Sequence, residues 1–221
     1  MKEHILVVLP HPDDEAFGAS GTITLHTKKG VPVTYACATL GEMGRNMGLP
    51  PFANRESLPL IRKKELEEAC DAMGIKDLRL LGYRDKTLEF ENIEEVADTI
   101  YKLLDELKPT LVITHYPGFA VHPDHDACGA ATIKAISRLD KENRPIVYAM
   151  AFSKDCRDVL GDPDIRINIE EVADQKIASL KAHKSQTSQL VAGLEEKLKN
   201  GDPDTKNWLS REVFWTYRFN D

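Results

Sequence analysis

Ile5-Leu6-Val7-Val8-Leu9 runs directly into Pro10-His11-Pro12-Asp13-Asp14-Glu15, so an apolar segment is followed at once by imidazole and carboxylate groups. Five consecutive apolar residues before a turn are typical of a buried strand in a parallel sheet. A second apolar stretch, residues 111–114, precedes His122-Pro123-Asp124-His125. Parallel strands end at a common edge, where open α/β sheets bind their ligands. We therefore expect the two polar segments, about 110 residues apart, to form one site.

The rest of the chain alternates between apolar runs and helical periodicity, the pattern of successive βαβ units. Strands are predicted at 5–9, 31–39, 78–81, 111–114, 146–151 and 165–169. Helices are predicted at 18–29, 58–73, 93–107, 126–139 and 170–182. The pattern predicts an α/β, Rossmann-like fold with a largely parallel sheet, helices on both faces and the active site at the carboxyl ends of the strands. Without repeats or a linker, we predict a single domain over residues 1–221.

Two segments depart from this alternation. Residues 40–57 contain three glycines and two prolines and show no apolar periodicity. A loop of that length in a compact domain is usually functional, and it would lie beside His11, where it could supply a lid. The second segment is an aromatic carboxyl-terminal tail, which contains Trp208, Phe214, Trp215, Tyr217 and Phe219. We expect this tail to pack against the sheet edge or against a neighbouring subunit, and the second possibility makes a homo-oligomer reasonable.

The composition of the chain bears on its binding partners and on its location in the cell. The formal net charge of −7 lacks the basic character needed to neutralise phosphates, so we expect no nucleic acid partner. No window holds the ~18 apolar residues of a membrane span, and the amino terminus has no signal-peptide pattern. The four cysteines show no C-x-x-C spacing, as expected where thiols stay reduced. These features predict no membrane partner and a cytoplasmic location.

The chemistry of the two motifs indicates a metallohydrolase. Two imidazoles and one carboxylate leave open positions on a divalent ion, as in catalytic zinc sites. Water bound to such an ion has a pKa near ~7 and becomes a usable nucleophile. Because Pro12 stiffens the turn, Asp13 and Asp14 cannot both point at the ion, so one ligates and the other is free to act as a base. Zinc is the expected metal, and Fe(II) also suits this ligand set.

Each motif alone has a simpler explanation. An aspartate pair after a strand is more often a helix N-cap than a metal site, and a lone His-x-x-His in a loop is weaker evidence still. The metal site is favoured because both motifs follow predicted strands of one α/β chain.

These residues resemble the LmbE/PIG-L-like zinc-dependent de-N-acetylases, which remove acetyl groups from N-acetylglucosamine conjugates. The resemblance extends over nearly the whole chain and rests on segments 11–15, 39–42, 55–56, 83–85 and 122–125. The late residues Lys176 and 183–186 look like the branch that contains the bacillithiol-biosynthesis deacetylases.

The resemblance implies a role for each residue of the two motifs. Asp13 matches the general base that takes a proton from the attacking water. His122 matches the imidazole that stabilises the oxyanion and protonates the leaving amine, with Asp124 orienting it. The residues that match the metal ligands are His11, Asp14 and His125.

The resemblance also implies the substrate contacts. Arg55 and Asp85 match groups that hold sugar hydroxyls. The expected substrate is a small amino-sugar conjugate, N-acetylglucosaminyl-malate, whose carboxylates need a cationic contact that Arg45 or Arg84 could supply. The predicted reaction is metal-assisted hydrolysis of the acetamide, which yields acetate and a free amine for bacillithiol biosynthesis.

Two alternatives remain open. A deacetylase or amidase that acts on a chitooligosaccharide or an N-acetylcysteine conjugate would share all of these site residues. A non-catalytic metal-binding protein would keep the three ligands but has no need of Asp13 or His122.

Overall fold

The computed structural model describes residues 3–220, which form one seven-stranded sheet flanked by helices. The strands are β1 (Ile5–Leu9), β2 (Val33–Cys37), β3 (Asp77–Leu80), β4 (Leu111–His115), β5 (Ile146–Met150), β6 (Ile165–Asn168) and β7 (Arg211–Thr216). The α-helices are α1 (Asp14–Gly18), α2 (Ser20–Lys28), α3 (Leu58–Met73), α4 (Ile93–Leu107), α5 (Pro123–Ser137), α6 (Cys156–Leu160), α7 (Ala173–Ala182), α8 (Lys184–Lys199) and α9 (Pro203–Ser210). Short 3₁₀ turns lie at Leu88–Phe90, Lys141–Asn143 and Glu170–Val172.

The strand order places the candidate site. The order is β3-β2-β1-β4-β5-β7-β6, with β1 to β5 parallel to one another and β7 antiparallel to both β5 and β6. The chain winds from β1 towards β3 and then returns to the other side of β1 with β4. A crevice opens at such a reversal, outside the carboxyl ends of the two central strands. The two sequence motifs follow these strands.

Alternate residues of β1 face two separate cores. Ile5, Val7 and Leu9 pack in a cluster with buried residues of α2 and α3. Leu6 and Val8 pack in the opposite cluster with apolar residues of α4 and α5. All five are fully buried because helices cover both faces. The predicted α/β fold, largely parallel sheet and helices on both faces are therefore confirmed.

Most predicted elements are present, with shifts at their ends. Helices α3 and α4 have the predicted bounds, and α3 ends at Gly74 in the left-handed conformation (φ 77°). The predicted helix over 18–29 is interrupted at Ala19 and its first turn begins at Asp14. Helix α5 begins at Pro123 rather than residue 126, because proline suits the first helical turn and the His122 side chain caps it.

The carboxyl-terminal third differs most from the prediction. Helices α8 and α9 were not predicted, and the aromatic tail does not simply pack on the sheet edge. Its residues 211–216 form β7, which lies between β5 and β6 with Phe214 fully buried. Residues 40–57 contain no helix or strand, as predicted. None of the helices in residues 3–220 is long and apolar enough to cross a membrane.

Candidate metal centre

The strand ends deliver the two motifs to the same point. After β1, the chain turns at Pro10 and places His11 and Asp14 at the crevice, where the His11 backbone N–H donates to Asp14 Oδ2 (2.9 Å). After β4, the chain enters α5, which carries His125 in its first turn. Helix α5 can pack this closely because residue 129 is glycine: a Cβ there would lie 2.4 Å from the His115 carbonyl oxygen.

The structure brings the side chains of the three predicted ligands close together, and both carboxylate oxygens of Asp14 take part in the contacts. His11 Nδ1 lies 3.1 Å from His125 Nε2, which lies 3.2 Å from Asp14 Oδ1, and His11 Nδ1 lies 3.6 Å from Asp14 Oδ2. Ligands held at ~2.0–2.2 Å around a tetrahedral ion are themselves roughly 3.3–3.6 Å apart. The donor types suit a divalent metal ion, and the contacts of 3.1–3.6 Å are close to this spacing, with one Asp14 oxygen near each imidazole.

Acidic groups surround the imidazoles. His11 Nε2 lies 3.1 Å from Asp124 Oδ2 and 3.1 Å from Asp85 Oδ1. Burial opposes protonation of His11, but these carboxylates and Asp14 raise its pKa to about 10. The acidic surroundings therefore favour a positive charge at His11, from a proton or from a bound metal ion. A carboxylate on the far nitrogen of a ligating histidine is the usual way to orient it.

The second imidazole is fixed from two sides. His125 Nδ1 lies 3.2 Å from the Ala120 carbonyl oxygen, leaving Nε2 for the cluster. The ring of His115 stacks on it, with centroids 4.1 Å apart and planes at 3°. Burial lowers the pKa of His115 to about 3, so this ring is neutral. When each residue offers one ligand atom, the groups that lie within 4.8 Å in residues 3–220 are His11, His122 and His125; Asp14, His115 and His125; and His11, Asp85 and Asp124.

The two neighbouring aspartates have different environments. Burial alone would raise the pKa of Asp14, but the imidazoles of His125 and His11 hold it well below its usual range. Asp13 turns away at φ 109° and contacts Arg62 Nη2 through Oδ2 (3.0 Å). Burial raises the pKa of Asp13 to about 6 despite the opposing charge of Arg62. A carboxylate that titrates near neutrality is suited to general-base catalysis.

Asp124 is placed differently from the expectation. Its buried carboxylate contacts His11 and accepts from the backbone N–H groups of Lys86 (2.7 Å) and Leu88 (3.2 Å). Asp124 reaches His122 through its main chain, because its N–H donates to His122 Nδ1 (3.1 Å). The carboxylate therefore orients the predicted metal ligand His11 rather than the His122 ring.

A cavity of about 340 Å³ opens onto this cluster. Of the predicted substrate contacts, Asp85 and Arg45 line it. Arg55 does not; its guanidinium is exposed and donates to the carbonyl oxygens of Gly44 (2.6 Å) and Glu42 (3.3 Å) in the 40–57 loop. Arg84 is likewise exposed and absent from the lining, which comprises His11, Asp13, Asp14, Met43, Gly44, Arg45, Arg62, Asp85, Lys86, His122 and His125.

Sequence reasoning missed Arg62 and Lys86. Arg62 is only 3% exposed and donates to Gly41 O (2.9 Å) and Pro12 O as well as to Asp13. Its position on the buried face of α3, four residues before Leu66, was a usable signal, because an arginine there needs an anionic partner. Lys86 had no comparable signal in the sequence.

The late residues 183–186 support the site through hydrogen bonds: His183 contacts a residue that holds Asp13, and Gln186 contacts the 40–57 loop. His183 Nε2 contacts Glu15 Oε1 (2.5 Å), and Glu15 Oε2 accepts from the Asp13 backbone N–H (3.1 Å). Both side chains are fully buried. Gln186 and Asn46 exchange two side-chain-to-carbonyl hydrogen bonds of 2.9 Å each, which fasten the 40–57 loop to the start of α8.

Comparison with known proteins identifies relatives at high coverage. The family model described as "PIG-L: GlcNAc-PI de-N-acetylase" matches residues 6–136. A relative from Bacillus subtilis (strain 168) is named probable N-acetyl-alpha-D-glucosaminyl L-malate deacetylase 2. It is 57% identical over 221 residues, which cover 100% of this chain and 100% of the relative.

Solved structures share the fold. The N,N'-diacetylchitobiose deacetylase from Pyrococcus horikoshii has a TM-score of 0.73 at 23% identity, covering 97% of this chain and 84% of its own. GalB, the 4-carboxy-2-hydroxymuconate hydratase from Pseudomonas putida KT2440, has a TM-score of 0.72 at 19% identity, with 99% and 98% covered. Because one fold here accompanies two reactions, the fold alone does not decide the chemistry. The family model and the full-length relative do: this chain is an enzyme of the PIG-L family of de-N-acetylases.

Proposed function

We propose that this enzyme is a zinc-dependent hydrolase that removes the acetyl group from N-acetylglucosaminyl-malate in bacillithiol biosynthesis. The observation that carries the reaction type is the pairing of a compact His11, Asp14 and His125 cluster with a neighbouring carboxylate, Asp13, that stands outside it. The full-length relative from Bacillus subtilis supports the substrate. Fe(II) is the alternative metal for the same ligands.

His11, Asp14 and His125 would hold the metal. When bound, a divalent ion supplies Lewis-acid polarisation of the acetamide carbonyl and lowers the pKa of water. The chain itself contributes the remaining functions: Asp85 and Asp124 orient His11, and Ala120 and the His115 ring orient His125.

Asp13 is the proposed general base. Arg62 and the Glu15 side chain fix it from two sides, through its carboxylate and its backbone N–H respectively. With a pKa raised to about 6, Asp13 is ionised at neutral pH, yet basic enough to take a proton from the attacking water. We assign the return of that proton to the leaving amine to protonated Asp13 rather than to His122, for which the resemblance implied this step, because the pKa of His122 is lowered and its ring is neutral.

His122 is the proposed oxyanion donor. Burial and the neighbouring imidazoles of His11 and His125 lower its pKa, so the ring is neutral at pH 7. Since Nδ1 accepts from the Asp124 backbone N–H, the ring proton lies on Nε2. That N–H is free to donate to the tetrahedral oxyanion, an interaction typically worth ~2.7–4 kcal/mol in the transition state.

A deacetylase for chitooligosaccharides or N-acetylcysteine conjugates is the second candidate, since it would use the same residues. The test is a substrate panel with mass-spectrometric detection of the lost acetyl group. We expect N-acetylglucosaminyl-malate to be turned over faster than free N-acetylglucosamine or chitobiose. Equal rates on all three would refute the malate assignment and leave the deacetylase intact, whereas no loss of acetyl from any would favour the metal-binding alternative.

We also propose that the enzyme works in the cytoplasm as a single-domain homo-oligomer and has no nucleic acid partner. The net charge of −7 supports the proposal that nucleic acid is not a partner. The lack of a long apolar window in the sequence supports the proposed cytoplasmic location. Size-exclusion chromatography with light scattering tests the oligomeric state, and a monomeric mass would refute it.

A further inference from the structure

The candidate cavity is lined in part by cationic side chains that have no role in the proposed mechanism. Three cationic side chains line it: Arg45, Arg62 and Lys86. Arg62 is occupied by Asp13 and by main-chain carbonyl groups. Within residues 3–220, neither Arg45 nor Lys86 has a carboxylate oxygen within 4.0 Å of its side-chain nitrogens. Both side chains are exposed at the cavity, so each can reach a bound anion beside a candidate metal centre that is otherwise surrounded by acids.

The backbone of Lys86 is held in an unfavourable conformation at this place. Its φ of 64° lies in the left-handed region, which glycine adopts far more readily than lysine. Its N–H donates to Asp124 Oδ2 (2.7 Å), and the same carboxylate orients His11. This hydrogen bond fixes the start of the Lys86 side chain beside the cluster.

Lys108 is a second lysine of this chain whose backbone has a positive φ, and it serves as a comparison. It has a φ of 46°, but it ends helix α4, where left-handed residues are common. Its ammonium group contacts Asp105 (2.5 Å). The positive φ of Lys86 belongs to a turn that the Thr87 N–H closes on the Arg84 carbonyl oxygen (3.2 Å), and its ammonium group, unlike that of Lys108, pairs with no acid among the residues that the structure describes.

The free cations define the chemistry of the group that binds beside the sugar. An uncharged aglycone would leave both unpaired, whereas a dicarboxylic acid offers one carboxylate to each. We propose that Lys86, together with Arg45, is a carboxylate-binding pair that selects N-acetylglucosaminides with a dicarboxylic acid aglycone. This inference rests on the proposed function. It assigns to Lys86 the carboxylate contact that the sequence analysis offered to Arg84, because Arg84 does not line the cavity.

The test pairs enzyme variants with substrates that differ only in charge. The substrates are N-acetylglucosaminyl-malate and its dimethyl ester. The variants are Lys86→Gly, which also removes the backbone strain, Lys86→Gln, Arg84→Gln and the control Lys108→Gly. We expect both Lys86 variants to lower the dianion-to-ester ratio of kcat/KM about tenfold, mainly through KM for the dianion, as for one lost charged hydrogen bond. Lys108→Gly should keep the wild-type ratio.

The outcomes separate this inference from the proposed function. If wild-type enzyme turns over the malate conjugate but the Lys86 variants affect both substrates equally, or neither, the carboxylate-binding role is refuted and the function stands. A ratio that falls in Arg84→Gln instead would assign the contact to Arg84 and overturn the inference. If wild-type enzyme deacetylates neither substrate, the proposed function and this inference fail together.

Discussion

At the scale of single residues, two adjacent aspartates have opposite electrostatic environments. Asp14 faces two imidazoles, which stabilise its charge, and Asp13 is buried against Arg62 with a pKa raised to about 6. The positive φ of Asp13 separates the two side chains: Asp13 contacts Arg62 of α3 while still lining the cavity, and Asp14 faces the imidazoles. One carboxylate is suited to bind a cation and the other to exchange a proton.

We predict that Asp13→Asn retains the metal but loses ~10²–10⁴-fold in turnover, the usual contribution of a general base. The amide keeps the shape of the side chain, and Arg62 keeps its carbonyl partners Gly41 and Pro12, so the fold should survive. Metal content by mass spectrometry and the rate of acetate release are the measurements. Asp14→Asn is the matched variant and should lose the metal; the reverse pattern would mean that the two roles are exchanged.

At the scale of elements, the carboxyl-terminal strand completes the sheet. Strand β7 lies between β5 and β6, and Phe214 packs in the same core cluster as Ile5 and Leu9 of β1. Behind it, Glu212 forms a buried ion pair with Lys176 (2.7 Å) and accepts from the backbone of α2 at Gly21 and Thr22. The last part of the chain is thereby tied to the helix that follows the first metal-ligand motif.

We predict that Phe214→Ala lowers the free energy of unfolding by ~3–5 kcal/mol, because a fully buried aromatic ring leaves a cavity in a close-packed core. Phe90→Ala is the control: that ring is 79% exposed, and its removal should change stability by less than ~0.5 kcal/mol. Urea denaturation of the metal-loaded proteins measures both. Similar losses in the two variants would show that β7 is not part of the core.

At the scale of the whole molecule, the proposed metal binding would compete with protonation of the same cluster. In the metal-free protein the pKa of His11 is raised to about 10, above its ordinary value of 6.5. Its protonation therefore contributes stability that is fully present below pH ~6.5 and is lost as the pH rises towards 10. A bound metal needs the neutral imidazole and displaces that proton.

We therefore predict that stabilisation by zinc grows with pH between 6 and 8.5. The slope should be about 1.4 kcal/mol per pH unit for each displaced proton, and His125, whose pKa Asp14 raises against the effect of burial, adds to the contribution of His11. The measurement is the difference in unfolding free energy between zinc-loaded and metal-stripped protein at a fixed free zinc concentration. His26→Gln, remote from the cluster, should show the same slope as the wild type, and a difference independent of pH would exclude a protonated His11 in the metal-free state.

The amino-acid sequence by itself determined the α/β class, most element positions and the convergence of His11, Asp14 and His125. Local patterns suffice for these, since apolar runs and helical periodicity depend on near neighbours and parallel strands must end at one edge. Only the tertiary structure decided the placement of β7, the contact of Asp124 with His11, and the choice of Arg62 and Lys86 over Arg55 and Arg84 at the cavity. Those features depend on how segments that are far apart in the sequence pack together, and on which of their side chains then face the cavity. A left-handed lysine or a buried arginine is set by packing between elements that the sequence alone does not bring together.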